Sequence, residues 1–308
     1  MSRSTISTYK VFEMFPDEAS ARVYLESRLW PNGPVCPQCK GQDRLTVRKA
    51  GFYRCNACKD FDFTVRTDTI FGRSHIPLNK WVYAMYLVVT ARKGISSMQL
   101  AKEIGVTQKS AWFMLCRLRE ACQAPESRDK LKGVIEIDEC FVGGKEANKH
   151  ERKKLKAGRG AVGKTPVLGL RERGGKTRAM VIPSTDIATV QNIIHGEVEV
   201  GSTLYTDNSA TYDDLEGLFY HHHAVNHAAG EYGRGPVNTN SIESVWAVLK
   251  RGINGVYHHV SPGHLHRYVN EFTFRLNEGN VARHSLERLA SFVDAVAGRR
   301  ITYKQVTA

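Results

Sequence analysis

The sequence contains no hydrophobic run long enough to cross a bilayer. The longest, residues 81–91, stops at Arg92-Lys93, and a spanning helix needs about 20 apolar residues. The opening string Met-Ser-Arg-Ser-Thr-Ile-Ser carries none of the apolar core of a secretory signal. A cytoplasmic protein with no membrane partner is therefore expected, and its seven cysteines should stay reduced. Acidic residues are also in short supply, with 31 Asp and Glu against 44 Lys and Arg, a net charge of +13. Such an excess excludes little by itself but favours a polyanionic partner, of which nucleic acid is the commonest.

Against that background the cysteines are ordered. Cys36-Pro-Gln-Cys39 and Cys55-Asn-Ala-Cys58 form two C-x-x-C pairs separated by fifteen residues. Two thiolates from one tight turn take one edge of a tetrahedron, and the second turn supplies the opposite edge. Short strands are expected around them at 44–48, 52–54 and 61–65, which makes a zinc ribbon. Disulfides conflict with a reducing compartment, and no βαβ pattern surrounds either pair to make a redox site. Four Cys positions leave no open coordination position, so the expected zinc is structural. Cys116, Cys122 and Cys140 lie in apolar surroundings and read as packing residues.

Helical patterning follows at 78–92, at 96–105 ending on Gly105, and at 108–121 with Thr107 as a candidate N-cap. Two helices joined across a short Gly-containing turn fit a helix-turn-helix. In that motif the start of the second helix, here Gln108, Lys109 and Ser110, enters the major groove. A plain helical hairpin used for packing is the competing explanation.

Beyond a polar linker at 125–132, strands are expected at 134–138, 166–170, 178–182 and 202–206. Helices are expected at 186–195 and 212–218, followed by a strand near 221–226. The last helix, residues 238–251, buries Ile242, Val245, Trp246 and Leu249 on one stripe and carries Glu243 and Lys250, nearly eclipsed two turns apart, on another. The order is that of an α/β layered domain. Asp138 is expected to end the first strand and Asp207 the fourth, with Glu243 early on the last helix. Three carboxylates gathered at one place repel one another, so such a cluster implies bound divalent cations, Mg²⁺ or Mn²⁺. Glu136, Glu139, Asp213 and Asp214 compete for these roles. Glu136 shares a strand face with Asp138 and suits a supporting position. His221, His222, His223 and His227 are read as surface strand and loop residues. Residues 145–164 hold eight basic side chains and two acidic ones. Lys153, Lys154, Lys156 and Arg159 in this loop are candidate contacts to a DNA backbone, as are Lys250 and Arg251.

In combination these motifs resemble the DDE transposases of bacterial insertion sequences that carry an N-terminal zinc ribbon. The resemblance begins at residues 24–31 (Tyr-Leu-Glu-Ser-Arg-Leu-Trp-Pro) and the first cysteine pair. It continues through 136–145 (Glu-Ile-Asp-Glu-Cys-Phe-Val-Gly-Gly-Lys), Tyr205-Thr-Asp207 and 226–232 (Asn-His-Ala-Ala-Gly-Glu-Tyr). It closes with Asn240-Ser-Ile-Glu243, Lys250-Arg251, His258-His259 and 271–275. It implies an α/β, ribonuclease H-like catalytic domain (a mixed sheet flanked by helices) preceded by a zinc ribbon and a helix-turn-helix. The implied domains are an N-terminal helical segment at 1–34, a zinc ribbon at 35–70 and a helix-turn-helix at 77–124. A catalytic domain follows at 131–278, and a C-terminal helical tail at 279–308.

By the same resemblance Asp138, Asp207 and Glu243 are the catalytic acids, holding two Mg²⁺ or Mn²⁺ ions, and Lys250 faces DNA near the scissile phosphate. Asn238 stands where His is expected and Cys140 where a small hydroxyl residue is more usual. The implied activity is DNA transposition. Double-stranded DNA, as terminal inverted repeats and as target, is the partner. Homo-oligomers assemble on it, at the bacterial nucleoid, with no nucleotide cofactor. The rival expectations are a non-catalytic DNA-binding regulator derived from a transposase and a general metal nuclease.

Overall fold

The structure is a computed structural model that describes residues 5–123, 129–144, 146–155, 160–231, 233–279 and 282–307. Its contacts divide the chain into two compact units, Met1–Gln123 with Glu278–Ala308, and Ala124–Asn277.

In the first unit, α1 (Thr8–Met14) and α2 (Glu18–Leu29) lead into a three-stranded antiparallel sheet of β1 (Leu45–Lys49), β2 (Phe52–Cys55) and β3 (Phe61–Phe63). Asp17 starts α2 with a reciprocal capping box to Ser20. The longest apolar run of the chain lies in α3 (Leu78–Thr90), which is apolar around most of its circumference and buries ten residues, Trp81 and Met85 among them. α4 (Ser97–Ile104) ends at Gly105, whose φ of 61° is left-handed. Thr107 then caps α5 (Gln108–Ala121) by accepting from the Ser110 N–H. α9 (Ser285–Asp294) packs on α2 and α3. Arg288 donates to the Val89 carbonyl at 3.1 Å, and Gly298 N donates to the Asp68 carbonyl at 2.8 Å. α10 (Tyr303–Thr307) sets Tyr303 edge-on to Phe113 of α5. α9 and α10 thus pack against helices of the first unit.

The second unit is built on a five-stranded sheet of β4 (Val134–Val142), β5 (Thr165–Glu172), β6 (Thr177–Val181), β7 (Thr203–Asp207) and β8 (His221–Val225). The spatial order is β6-β5-β4-β7-β8. β4, β5 and β6 pair antiparallel as a meander, while β7 and β8 run parallel to β4. The parallel strands need crossovers. α6 (Ile187–Glu197) supplies the first, and two 3₁₀ turns, Ala210–Tyr212 and Glu216–Leu218, supply the second. Those turns replace the helix expected at 212–218. The backbone breaks there, because Asp214 and Phe219 take positive φ values of 63° and 67°.

One face of the sheet packs Ile135, Ile137, Leu168 and Leu204 against Val190 and Ile194 of α6. The other packs Cys140 and Val167 against Ile242, Val245, Trp246 and Leu249 of α7 (Asn240–Gly252) and Phe272 of α8 (Pro262–Glu278). A mixed sheet in this order, with helices on both faces, is the ribonuclease H-like arrangement. Asp138 does not end its strand as expected. It is the fifth of nine residues of β4, because β5 continues to pair beyond it through Cys140↔Val167 and Val142↔Thr165.

Candidate active site and metal centre

The cysteine quartet is closely assembled. Cys36 Sγ lies 4.0 Å from Cys58 Sγ, and Cys39 Sγ lies 3.7 Å from Cys55 Sγ. A tetrahedron with zinc–sulfur bonds of about 2.3 Å has edges of about 3.8 Å, so the sulfurs already stand at zinc-ligand spacing. All four donor atoms fall within 4.8 Å of one another. The Gly41 backbone N–H holds the Cys39 thiol down to about 7, while the neighbouring sulfur of Cys39 pushes Cys58 up to about 12 and burial raises Cys55. Trp30, Tyr53, Phe61 and Phe63 pack around the cysteines and fix the turns.

The residues expected to read DNA at the start of α5 make contacts within the first unit. Gln108 donates to Ser97 Oγ at 2.9 Å, the Lys109 ammonium sits 4.9 Å from the Tyr303 ring centre, and Ser110 accepts from the Thr107 hydroxyl. Gln108 and Lys109 stay exposed. In the basic loop of the second unit, Lys154 pairs with Glu151 at 2.8 Å. Lys156 and Arg159 lie outside the described residues, as does the side chain of Lys153. Residues 158–165 also spell Gly-Arg-Gly-Ala-Val-Gly-Lys-Thr, the spacing of a phosphate-binding loop. Such a loop opens a helix, whereas here Thr165 opens strand β5.

Asp138, Asp207 and Glu243 are carried on the α7 side of the sheet, without their three carboxylates coming within 4.8 Å of one another. Asp138 projects from the middle of β4 and Asp207 from the last residue of β7, two positions beyond the Glu136↔Tyr205 pairing of these strands. Glu243 lies in the first turn of α7, half exposed. Asp138 is fixed from both sides, since its Oδ1 accepts from the Glu139 N–H at 2.8 Å and its Oδ2 from Trp246 Nε1 at 2.9 Å. Burial, then the charge of Asp207, then that of Glu243, push the Asp138 carboxyl up to about 6, against the pull of those two hydrogen bonds. Burial raises Asp207 as well, opposed by the nearby His227. Glu139 is pushed up to about 7, by burial first and then by the Asp138 and Asp207 charges.

Among the described residues, Asp207 Oδ1 is buried with no hydrogen-bond partner. A buried, mutually repelling carboxylate pair with an orphaned oxygen fits a divalent cation, whose charge would satisfy both. Lys250 is exposed two turns beyond Glu243, and its ammonium lies close enough to the Cys140 thiol to pull against the rise that burial causes there. It thereby borders the same face as Asp138. Arg251 is exposed beside it.

Comparison with known proteins gives this geometry its family. Residues 130–277 match the ISXO2-like transposase domain, and residues 16–60 match a transposase zinc-ribbon domain. An uncharacterized protein in transposable element ISH50 of Halobacterium salinarum is 30% identical over 274 residues, which cover 85% of this chain and 91% of that protein. The chain belongs to the ISXO2-like transposase family. An uncharacterized transposase-like protein of Haemophilus influenzae is 26% identical over 106 residues, 34% of this chain and 85% of that one. A solved simian T-cell lymphotropic virus intasome aligns at 14% identity with a TM-score of 0.28. That alignment covers 63% of this chain and 65% of the viral one, just under two thirds of its length. Among the described residues, no helix of the transposase is long and apolar enough to cross a membrane.

Two residues of the transposase site escape the sequence reading. His227, set aside there with the strand histidines, lies in the 3₁₀ turn His227–Ala229, with Nε2 3.6 Å from Glu243 Oε1. Thr239 joins them, donating to Glu243 Oε1 at 3.1 Å and standing 3.3 Å from His227 Nε2. Its three neighbours lie on β8, where His222 bonds the Thr206 hydroxyl instead. The available signal for His227 is its place in the 226–232 string rather than any spacing. Gly169 faces Asp138 across the β4–β5 ladder, and a Cβ there would come within 2.5 Å of the Trp246 ring. Its lack of a side chain lets the indole reach Asp138.

Proposed function

We propose that this protein is a DDE transposase that binds the terminal inverted repeats of an insertion sequence, nicks DNA and joins the freed end to a target. The observation that carries this reading is that Asp138, Asp207 and Glu243 stand on one side of the sheet, the charges of Asp207 and Glu243 adding to the rise that burial causes at Asp138, with Asp207 Oδ1 buried and unpaired among the described residues. Held by these three carboxylates, a pair of Mg²⁺ or Mn²⁺ ions would supply Lewis-acid charge to both the attacking and the leaving oxygen of a phosphodiester.

The chain's own contribution is positioning. Trp246 and the Glu139 N–H hold the Asp138 carboxylate at fixed rotation, and Thr239 with His227 orients Glu243. The exposed Lys250 faces the phosphate next to the bond being broken. Water attacks first and leaves a 3′-hydroxyl, which then attacks a target phosphodiester. Each step exchanges one P–O bond for another, so no nucleotide cofactor is needed. Zinc held by Cys36, Cys39, Cys55 and Cys58 keeps the ribbon folded. The ribbon and a helix-turn-helix of α4 and α5, presenting Gln108, Lys109 and Ser110, read the end sequence. Lys153, Lys154, Lys156, Arg159 and Arg251 add backbone contacts, and the protein works as a homo-oligomer on nucleoid DNA. In this reading the chain runs as a helical segment at 1–34, the ribbon at 35–70, the helix-turn-helix at 77–124, the catalytic domain at 131–278 and a helical tail at 279–308.

The test is strand transfer with pre-nicked end DNA and Mn²⁺. The Glu243→Ala variant is expected to lose transfer by about a thousandfold or more while binding end DNA as the parent does. A variant that transfers as well as the parent removes Glu243 from the catalytic set. If neither protein transfers or cuts but both bind end DNA, the regulator reading replaces this one.

A further inference from the structure

One fully buried acid on the face that carries Asp138 holds no place in the chemistry above. Glu136 is 0% exposed, and a carboxylate in such a position is costly unless it is paired and hydrogen-bonded. Its Oε2 accepts from the backbone N–H groups of Ser241 at 2.7 Å and Ile242 at 3.0 Å. These are among the first N–H groups of α7, which no helical carbonyl can satisfy. The N-cap residue Thr239 makes no side-chain cap, its hydroxyl being committed to Glu243, and Asn238 Oδ1 reaches only the Asn240 N–H, at 3.3 Å. A carboxylate from β4, distant in sequence, therefore caps the helix, and the positive end of the helix dipole favours its charge.

The other oxygen of Glu136 accepts from Arg173 Nε at 2.7 Å. The remaining two arms of that guanidinium donate to the carbonyls of Pro236 at 2.7 Å and Asn238 at 3.1 Å, the segment that leads into α7. Its plane lies 4.7 Å from the Tyr205 ring centre. Glu136 stands two residues before Asp138, Tyr205 two before Asp207, and Ser241 two before Glu243. One ion pair thus touches all three elements that carry the acids, one register step below them on the same face.

We propose that the Glu136–Arg173 pair is the positioning device of the acidic site, setting the start of α7, and so Glu243, at its working distance from Asp138 and Asp207. This rests on the metal-binding reading of the three acids. Arg173→Lys keeps a positive charge beside Glu136 but loses the three-armed fork, so α7 stays capped while its entry segment is released.

The experiment titrates the zinc-loaded full chain with Mn²⁺ by calorimetry. The Arg173→Lys variant is expected to bind Mn²⁺ about tenfold or more weakly, as loss of a supporting contact to a metal ligand typically does. The Mn²⁺ concentration for half-maximal nicking should rise in parallel, with the rate at saturating Mn²⁺ within a few-fold of the parent. Arg275→Lys, which breaks the buried Glu271–Arg275 pair on α8, is the control, expected to melt lower with parental Mn²⁺ affinity. If Arg173→Lys does not fold, Glu136→Gln, nearly the same shape, carries the same measurement. A folded variant with a lowered melting temperature and parental Mn²⁺ affinity overturns the proposal, since the pair is then only a brace. A parent chain that binds no Mn²⁺, or an Asp138→Asn variant that binds it equally well, overturns the site reading instead.

Discussion

In the ribbon, two sulfur pairs stand 3.7 and 4.0 Å apart, closed by two short turns within 23 residues (36 to 58). In the sheet, three carboxylates come from two strands and a helix spread over residues 138 to 243. Among the described residues, the cysteines alone bring three or more donor atoms within 4.8 Å of one another. The cause is charge. Thiols can be packed together in a small aromatic core, whereas carboxylates repel: the charges of Asp207 and Glu243 add to the rise that burial causes at Asp138. In the proposed reading zinc completes the fold of the ribbon, whereas the acids carry a cost of burial and charge that a cation would offset. A metal that completes a fold and one that serves a reaction therefore leave opposite marks on stability.

The sharpest way to break that contrast is to remove one donor from each site. Cys55→Ser should abolish zinc binding and unfold the ribbon, because structural zinc contributes about 10 kcal/mol or more to such modules. Elemental analysis should fall from one zinc per chain to none, and hydrogen exchange across residues 45–63 should lose its protection. Full zinc content with parental exchange would show that the quartet is not a closed structural site.

In the acidic site the corresponding change should stabilise. Asp138 titrates near 6 in the folded chain against an ordinary 3.8, so folding holds its proton more tightly than the unfolded chain does. That contribution is fully present below pH 3.8 and is lost as pH rises through about 6, with Glu139 extending the window to about 7. The loss for Asp138 is about 3 kcal/mol. Asp207→Asn removes a repelling charge without breaking any side-chain hydrogen bond of Asp207 recorded among the described residues, and its buried Oδ1 has no partner. In protein carrying zinc but no added Mn²⁺, the variant should melt above the parent at pH 8, the gap shrinking toward pH 5.5. Mn²⁺ should raise the parent and leave the variant unmoved. A variant that melts below the parent at pH 8 would mean the acids do not carry the cost proposed.

Locality also decides what could be read from the sequence. The cysteine pairs, the limits of α5 and the end of β7 at Asp207 were legible because spacing, a Thr107 cap and a short apolar strand are local signals. Asp138 was expected at a strand end because the alternation of residues 134–138 gives no hint that β5 will hold β4 as far as Val142. His227 gives no local signal either, since its distance to Glu243 is set by how the segment between β8 and α7 folds back. The cap that Glu136 provides to α7 joins residues 105 and 106 positions apart. The patterning of α9 and α10 is ordinary and amphipathic, and nothing in it tells that both pack within the first unit.

The mildest test probes that non-local assembly through Gly169. A methyl group there would lie 2.5 and 2.6 Å from two Trp246 ring carbons and 2.8 Å from Ile242 Cδ1. Trp246 cannot simply turn aside, because its Nε1 is bonded to Asp138 and its ring is buried with Ile242 in the core under α7. Gly169→Ala should therefore lift α7 slightly from β5, costing about 1–3 kcal/mol as overpacked cores do, and weaken Mn²⁺ binding while zinc content stays at one per chain. Gly196→Ala is the matched control. Gly196 lies in α6 with nothing within 4 Å of the added methyl, so it should gain a few tenths to about 1 kcal/mol from helix propensity alone and leave both metals unchanged. A Gly169→Ala protein that melts and binds Mn²⁺ like the parent would show that the Trp246–Asp138 contact tolerates displacement. The acids would then be positioned by their strands, with α7 free to adjust around them.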